Sequence, residues 1–375
     1  MIVLAIETSC DDTGISIIKA KGSKKLDFNN FEVLSDLTSS QVDIHKEYGG
    51  VFPAVAKREH QKALIPLLTK SLKKAGLLKE RKKEVDSKKL SKIKKNLEKN
   101  ELLFGELREF LKKYDASEIN RIAVTIGPGL EPCLYTGINL AKSLSFYWNI
   151  PIVGVNHIEG HILSSFLSPT SKISFPAIAL IISGGNTQII LVEKIGKYKI
   201  IGETRDDAAG ECLDKTARML GLTYPGGPEI YKKAKECKTN KYNIVLPRPM
   251  KHEKNYDFSF SGLKTAVLYH SKKVKIDDDY VKEMSYGIES AVIDVLLSKT
   301  LKAVKEFKVK SLILGGGVSA NKRLIKEFKK NSPVDVFIPK QSFSGDNASM
   351  IGLVSIYSPN VKKIIKPKSN LKIND

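Results

Sequence analysis

The segment Asn156-His157-Ile158-Glu159-Gly160-His161 sets two imidazoles four residues apart. On a helix, that spacing brings both rings within about 40° on one face, which is metal-ligand geometry. The pattern also arises on ordinary helices, so a metal site needs a third ligand from elsewhere. Asp346, in Ser344-Gly345-Asp346-Asn347-Ala348-Ser349-Met350, is the candidate, although an Asp at the start of a helix is more often a plain N-cap. Two His and one carboxylate with open positions suit Fe(II), and ligand type alone leaves Zn(II) open. A zinc peptidase would carry HExxH, with its Glu beside the first His. Here the acid is Glu159, two residues along and about 200° round the helix, so protease chemistry of that type is disfavoured.

Further polar residues cluster at turns. Asp206 and Asp207 precede an acid-rich helical stretch as expected caps, while Asp214 falls mid-helix, where it could reach a ribose hydroxyl. Tyr224-Pro225-Gly226-Gly227-Pro228 must be a backbone turn, and Asn321 opens the helix after a triple glycine, where its amide could meet a nucleotide. Asp11 and Asp12 sit in a hairpin turn, where Asp is usually only turn chemistry but could orient a substrate or a water-bound ion.

The elements that must position these residues occur twice. Ile2 to Ile6, the turn Glu7 to Gly14 and Ile15 to Lys19 form a hairpin, with a third strand around Phe31 to Leu37. Ala177 to Ile182, Ser183 to Gln188 and Ile189 to Lys194 repeat it, with a third strand near Tyr198 to Glu203. Each set leads to a strand, a glycine loop and a helix: Arg121 to Ile126 with Gly127-Pro128-Gly129, and Ser311 to Leu314 with Gly315-Gly316-Gly317. The offset near 180 residues predicts two similar α/β lobes around a cleft lined by four glycine-containing turns. Backbone N–H groups in such turns favour phosphate, because a missing Cβ allows close approach.

The expected domains are an N-terminal lobe over 1–155, with a Lys-rich helical insertion at about 76–115 on its surface, a C-terminal lobe over 156–357 holding the nucleotide and metal site, and a basic, poorly ordered tail over 358–375. With 375 residues, 42% hydrophobic and 27% charged, the chain can bury a sizeable core. No apolar run reaches the roughly 20 residues of a membrane span, and four scattered cysteines without a CxxC pair fit the reducing cytoplasm. The net charge of +21 is uneven: residues 70–99 hold 13 basic and 4 acidic side chains, and residues 360–375 hold 5 and 1. Clustered lysine fits a nucleic-acid backbone, but only eight of the 62 basic residues are Arg, as a compositional lysine bias would also produce.

The motifs Ile6-Glu7-Thr8-Ser9-Cys10-Asp11-Asp12-Thr13-Gly14, Glu47-Tyr48-Gly49-Gly50-Val51, Gly127-Pro128-Gly129-Leu130, His157-Ile158-Glu159-Gly160-His161, Ser183-Gly184-Gly185-Asn186-Thr187-Gln188, Asp207-Ala208-Ala209-Gly210-Glu211, Tyr224-Pro225-Gly226-Gly227-Pro228, Phe258-Ser259-Phe260-Ser261-Gly262 and Gly315-Gly316-Gly317-Val318-Ser319-Ala320-Asn321 together resemble the TsaD family, the tRNA adenosine threonylcarbamoyltransferases. The resemblance covers about residues 1–355, apart from the Lys-rich insertion. It implies an α/β fold of two similar lobes of the actin, Hsp70 and sugar-kinase type. It implies that His157, His161 and Asp346 hold one iron ion, and that Ile181, Ile182, Ser183, Gly184, Gly185, Asp214, Gly227 and Asn321 bind the adenylate of threonylcarbamoyl-AMP. The implied reaction passes the threonylcarbamoyl group to N6 of adenosine 37 in tRNAs reading codons that begin with A, with TsaB and TsaE as protein partners.

The chain departs from the family pattern at several positions. Asp12 stands where relatives usually have Glu, Ala54 where many have Glu, Tyr231 where an acid is common, and Asn186 where bacterial members often have His. Archaeal relatives place a Tyr metal ligand where Ile181 stands. Asp11 is the expected catalytic or orienting acid, and no residue identifies itself as the general base. Two competing readings use the same cleft: a sugar-kinase-like or Hsp70-like ATPase, and a non-catalytic tRNA-binding subunit whose metal is structural. On either tRNA reading, the lysines at 82, 83, 88, 89, 94 and 95 are expected to add to RNA affinity.

Overall fold

The computed structural model describes residues 1–21, 30–82, 84–115, 118–168, 172–238, 240–358 and 360–374. Lys83 therefore lies outside the described residues.

The first lobe is built from β1 (Ile2–Glu7), β2 (Asp12–Ala20), β3 (Phe31–Ser40), the short α1 (Val42–Lys46), α2 (Pro53–Lys74), the two-residue β4 (Lys79–Glu80), α3 (Ser87–Asn96), α4 (Glu101–Lys113), β5 (Tyr114–Asp115), β6 (Arg121–Gly127), α5 (Glu131–Trp148) and β7 (Ile152–Asn156). The second holds α6 (His157–Ser164), β8 (Ala177–Ile182), β9 (Thr187–Lys194), β10 (Lys197–Glu203), α7 (Ala209–Met219), α8 (Gly226–Glu236), α9 (Ser261–Ser271), α10 (Asp278–Glu306), β11 (Ser311–Gly315), α11 (Lys322–Asn331), β12 (Asp335–Phe337) and α12 (Ala348–Tyr357).

The sheets run β3-β2-β1-β6-β7 and β10-β9-β8-β11-β12, one order used twice. In each, the central strand pairs antiparallel with the next strand in sequence and parallel with a later one: β1 with β2 and β6, β8 with β9 and β11. The residues explain this placement. β8 reads AIALII and is buried along its whole length, as a strand covered on both faces must be.

The lobes are not cleanly separated. α6 follows the first sheet in sequence but lies against β8 and β11, while α12 follows the second sheet and lies against β1 and β2. The two helices pack on one another, and Ile158 and Ile162 join Val3, Ala5, Ala179, Met350 and Ile351 in one core between the sheets. Both helix N-termini, His157 and the Asp346-Asn347 corner, thus open at the same place.

Two expectations about the basic segments change. The insertion is not a surface excursion, because Ile93, Leu97, Leu103, Leu107, Phe110 and Leu111 are buried in one cluster with Leu64, Leu68 and Leu72 of α2. Leu103, Leu107 and Leu111, four apart on α4, supply that apolar face with Phe110, leaving the lysines outside. The tail is also packed: Ile365 and Leu371 enter the first-lobe core, Ile373 enters the core between the sheets, and Lys362 pairs with Gly154 beside β7. Single apolar residues among lysines give no periodic signal, so the sequence pattern hides this docking.

Candidate metal centre and interlobe cleft

His157 begins α6, and the Asn156 side chain caps it by accepting the Ile158 N–H at 2.9 Å. One turn on, His161 stands over it, with ring centroids 4.5 Å apart. Asp346 comes from the loop before α12, which Asn347 caps through the Met350 N–H. Asp346 Oδ1 lies 3.5 Å from His157 Nε2 and 3.3 Å from His161 Nε2. One donor atom from each of the three residues falls within 4.8 Å of the others. The two imidazoles are buried; among the described residues His161 Nε2 has only the Asp346 carboxylate beside it, and its Nδ1 has no hydrogen-bond partner. A buried ring nitrogen left unsatisfied is costly unless something else binds the imidazole. Two imidazoles and one carboxylate converging on one point therefore fit a divalent metal.

A second layer holds the first. Glu7, at the end of β1 and fully buried, faces His157 Nδ1 through Oε2 at 3.1 Å. Its carboxylate also accepts the Thr125 hydroxyl at 2.7 Å and the Ser9 N–H at 2.6 Å. Burial alone would lower the His157 pKa, but Asp346 and Glu7 raise it to about 9. Burial and the neighbouring His157 push His161 down. Burial works against ionised Asp346, yet the two imidazoles hold it well below the usual carboxylate range. Residues Glu7, Ser9 and Thr125 are not marked by sequence reasoning; the available signal is a carboxylate closing an otherwise apolar strand.

Asp11 lies across the cleft from Tyr224, whose hydroxyl donates to its Oδ2 at 3.4 Å. Burial, then the Asp346 charge, raises the Asp11 pKa. Burial, then Asp346 and Asp11, raises Asp12 to about 7. This turn is braced from behind by His60, which meets Thr13 Oγ1 at 2.7 Å and the Cys10 carbonyl at 2.9 Å.

In the second lobe, Ile181 and Ile182 are fully buried strand residues, so only their backbone is near the cleft. Ser183 closes the following turn by donating its N–H to the Asn186 carbonyl at 2.8 Å. A Cβ placed on Gly184, Gly185 or Gly317 would meet nothing within 4 Å, which leaves open space beside these backbones. Gly316 differs: its φ is +85°, and a Cβ there would lie 2.4 Å from the Ile182 carbonyl, so it lets two turns touch.

Asp214 does not point free into the cleft. Its Oδ1 accepts the Gly226 N–H at 2.7 Å and orders the turn that carries Gly227, and burial raises its pKa to about 6. Asn321 caps α11 through the Leu324 N–H at 2.9 Å and donates to Glu289 at 2.7 Å. Asp206 and Asp207 are not caps of α7. Asp206 accepts the N–H groups of Phe260 and Ser261 at 2.8 and 3.2 Å, and Asp207 pairs with Lys215 and Lys264 at 2.9 and 2.6 Å. Together they tie α7 to the start of α9.

The first-lobe glycine loop is also different from a phosphate cradle. A Cβ on Gly127 would lie 1.9 Å from the Lys368 carbonyl oxygen, and the Gly129 N–H donates to the Ser369 carbonyl at 3.1 Å. The tail occupies this loop, so the cleft has fewer open glycine turns than the repeat predicts.

The chain matches the family model TsaD, described as tRNA N6-adenosine threonylcarbamoyltransferase, over residues 32–85 and 100–353. The proteins so named from Bacillus subtilis and Thermosipho africanus are 40% and 39% identical to it, across 94% and 100% of this chain and 88% and 100% of their own. That from Francisella tularensis subsp. holarctica is 39% identical across 95% of this chain and 94% of its own. The break in the family match at 86–99 contains α3.

Proposed function

The chain belongs to the TsaD family, and on that premise we propose that it is the enzyme that transfers a threonylcarbamoyl group to N6 of adenosine 37 in tRNA, releasing AMP from threonylcarbamoyl-AMP. The observation that carries the reading is family-level identity over nearly the whole chain, joined to the cluster of buried His157 and His161 with half-buried Asp346.

The chemistry sets the requirements. The N6 amine is a weak nucleophile because its lone pair is delocalised into the purine. As its nitrogen bonds to the carbamoyl carbon, the carbon–oxygen bond to phosphate breaks, AMP leaves and N6 sheds a proton. Orientation and charge stabilisation therefore supply most of the catalysis.

The open backbones at Gly184, Gly185 and Gly317 suit the phosphate, since nothing blocks its approach. Asp214 fixes the turn at Gly226 and Gly227, and Asn321 rigidifies the start of α11 against Glu289. His157, His161 and Asp346 would hold one Fe(II) ion, with Zn(II) as the other fitting metal. Such an ion supplies Lewis-acid polarisation of an anhydride oxygen. Glu7 keeps the His157 Nδ1 face occupied so that Nε2 turns towards Asp346. Asp11, with its raised pKa and its contact to Tyr224, is the acid best placed to orient the incoming groups where the lobes meet.

TsaB and TsaE are the partners that the family membership implies. Four scattered cysteines without a CxxC pair suit the cytoplasm, and no helix among the described residues is long and apolar enough to cross a membrane. The test is incubation of the purified chain, with those partners, threonylcarbamoyl-AMP and unmodified tRNA. Modified adenosine and AMP in equal amounts support the reading; neither product overturns it.

A further inference from the structure

We propose that the C-terminal segment 360–374 is a basic strap that receives the phosphate backbone of the substrate tRNA at the rim of the cleft. The inference rests on the tRNA-modifying function above. The strap is fixed in place: Ile365, Leu371 and Ile373 are buried anchors, Lys362 and Gly154 exchange backbone hydrogen bonds at 2.8 Å, and the Lys368 N–H donates to the Ile126 carbonyl at 2.7 Å. Those contacts hold it along the middle of β7 and at the C-terminal end of β6, and β7 runs directly into His157. The Asn156 side chain, next to His157, donates to the Lys372 carbonyl at 3.2 Å. Lys372 then reaches the second lobe, with its Nζ 3.5 Å from Glu203 Oε1.

With Ile365, Leu371 and Ile373 turned inward, Lys363, Lys366 and Lys368 are exposed, as is Ile364. Lys366 also lies close enough to Lys142 for the two charges to repel, which lowers the Lys142 pKa after the larger effect of burial. These cations stand on an ordered backbone that runs from Lys142, about 16 Å along α5, to Asn156 at the cleft, a line complementary to the phosphates of an anticodon stem-loop whose base must enter that cleft. The other basic segment is less well placed. α3 packs on α5, where Lys89 donates to the Tyr147 carbonyl at 2.8 Å. Tyr147 is at the far end of an 18-residue helix that starts beside Ser9, about 25 Å from the cleft.

The test compares the full chain with K363Q/K366Q/K368Q, which leaves the Lys372–Glu203 pair intact, and with the Arg version of the same three positions. Binding of unmodified tRNA is measured over a range of salt, beside metal content and binding of a non-hydrolysable adenylate. The Gln variant is expected to bind tRNA about 10- to 100-fold more weakly at 0.1 M salt, with the salt slope reduced by about 2, while the Arg variant keeps both. Metal and adenylate binding stay unchanged. A wild-type protein that binds and modifies tRNA, with a Gln variant of unchanged affinity and slope, overturns the strap alone. A wild-type protein with no tRNA binding overturns both the strap and the function it rests on.

Discussion

His157 Nδ1 sits 3.1 Å from the buried carboxylate of Glu7, so the ring that faces Asp346 from α6 is oriented by the last residue of the first strand of the other lobe. The metal cluster and the carboxylate behind it therefore come from three separate parts of the chain and depend on how the two sheets dock.

That pairing predicts the behaviour of Glu7→Gln. The variant keeps the size of the side chain but loses the charge behind the imidazole, and metal affinity should fall about 10- to 100-fold. Metal content after dialysis against a graded chelator measures this without reference to activity. Unchanged retention would remove Glu7 from the site.

Gly127→Ala tests the docking of the tail. Its added Cβ would fall 1.9 Å from the Lys368 carbonyl at a φ of +147°, so either the strap or β6 must move. A loss of about 2 kcal/mol or more in unfolding free energy is expected, with faster tryptic cleavage in residues 360–374. Equal stability and equal cleavage would show that the loop accommodates the methyl group.

Asp214 gives a pH signature. Burial raises its pKa from 3.8 to about 6. The folded state thus binds more protons than the unfolded state between those values, and stability falls as pH rises from about 4 to about 6. In Asp214→Asn, this contribution vanishes, so the wild-type deficit relative to the variant should open over that window by about 1–2 kcal/mol and stay constant above it. Urea titrations of the metal-free proteins at pH 4.5, 6 and 8 check the sign.

The duplication was readable because strand, glycine turn and helix recur in one order, and hydrophobic period reports each element. The pairing of His157 with His161 was readable because four residues make one helical turn. Other features were not, for identifiable reasons. Glu7 closes an apolar strand, and only the docking of α6 reveals what its carboxylate faces. Asp206 and Asp207 read as caps of the next helix, whereas, apart from the Asp207–Lys215 pair, their side-chain partners lie more than 50 residues on, at Ser259 to Lys264. Gly127 and Gly129 have the composition of a phosphate loop, but the atoms that fill them come from Lys368 and Ser369. Long-range docking of a segment with three isolated anchors leaves no local pattern to read.

Charge placement can be tested within one chain. Substituting Lys82, Lys88, Lys94 and Lys95 by Gln removes four exposed charges from the insertion, against three removed from the strap. If the strap is the closer RNA contact, the insertion variant should lower the salt slope of tRNA binding by less than about 1, despite losing more charge. A larger loss from the insertion would move the RNA footprint to α3.

The most direct measurement for the central claim is metal analysis and threonylcarbamoyl transfer on the same preparations of wild type and His161→Ala, with partner proteins supplied. Among the described residues His161 has one polar contact, its Nε2 3.3 Å from Asp346, so its removal should cost the fold little beyond that contact and the cavity it leaves. The expected result is about one metal per wild-type chain with modified adenosine formed, and neither metal nor product in the variant. Wild-type rates of transfer from a His161→Ala protein free of metal would contradict the assignment.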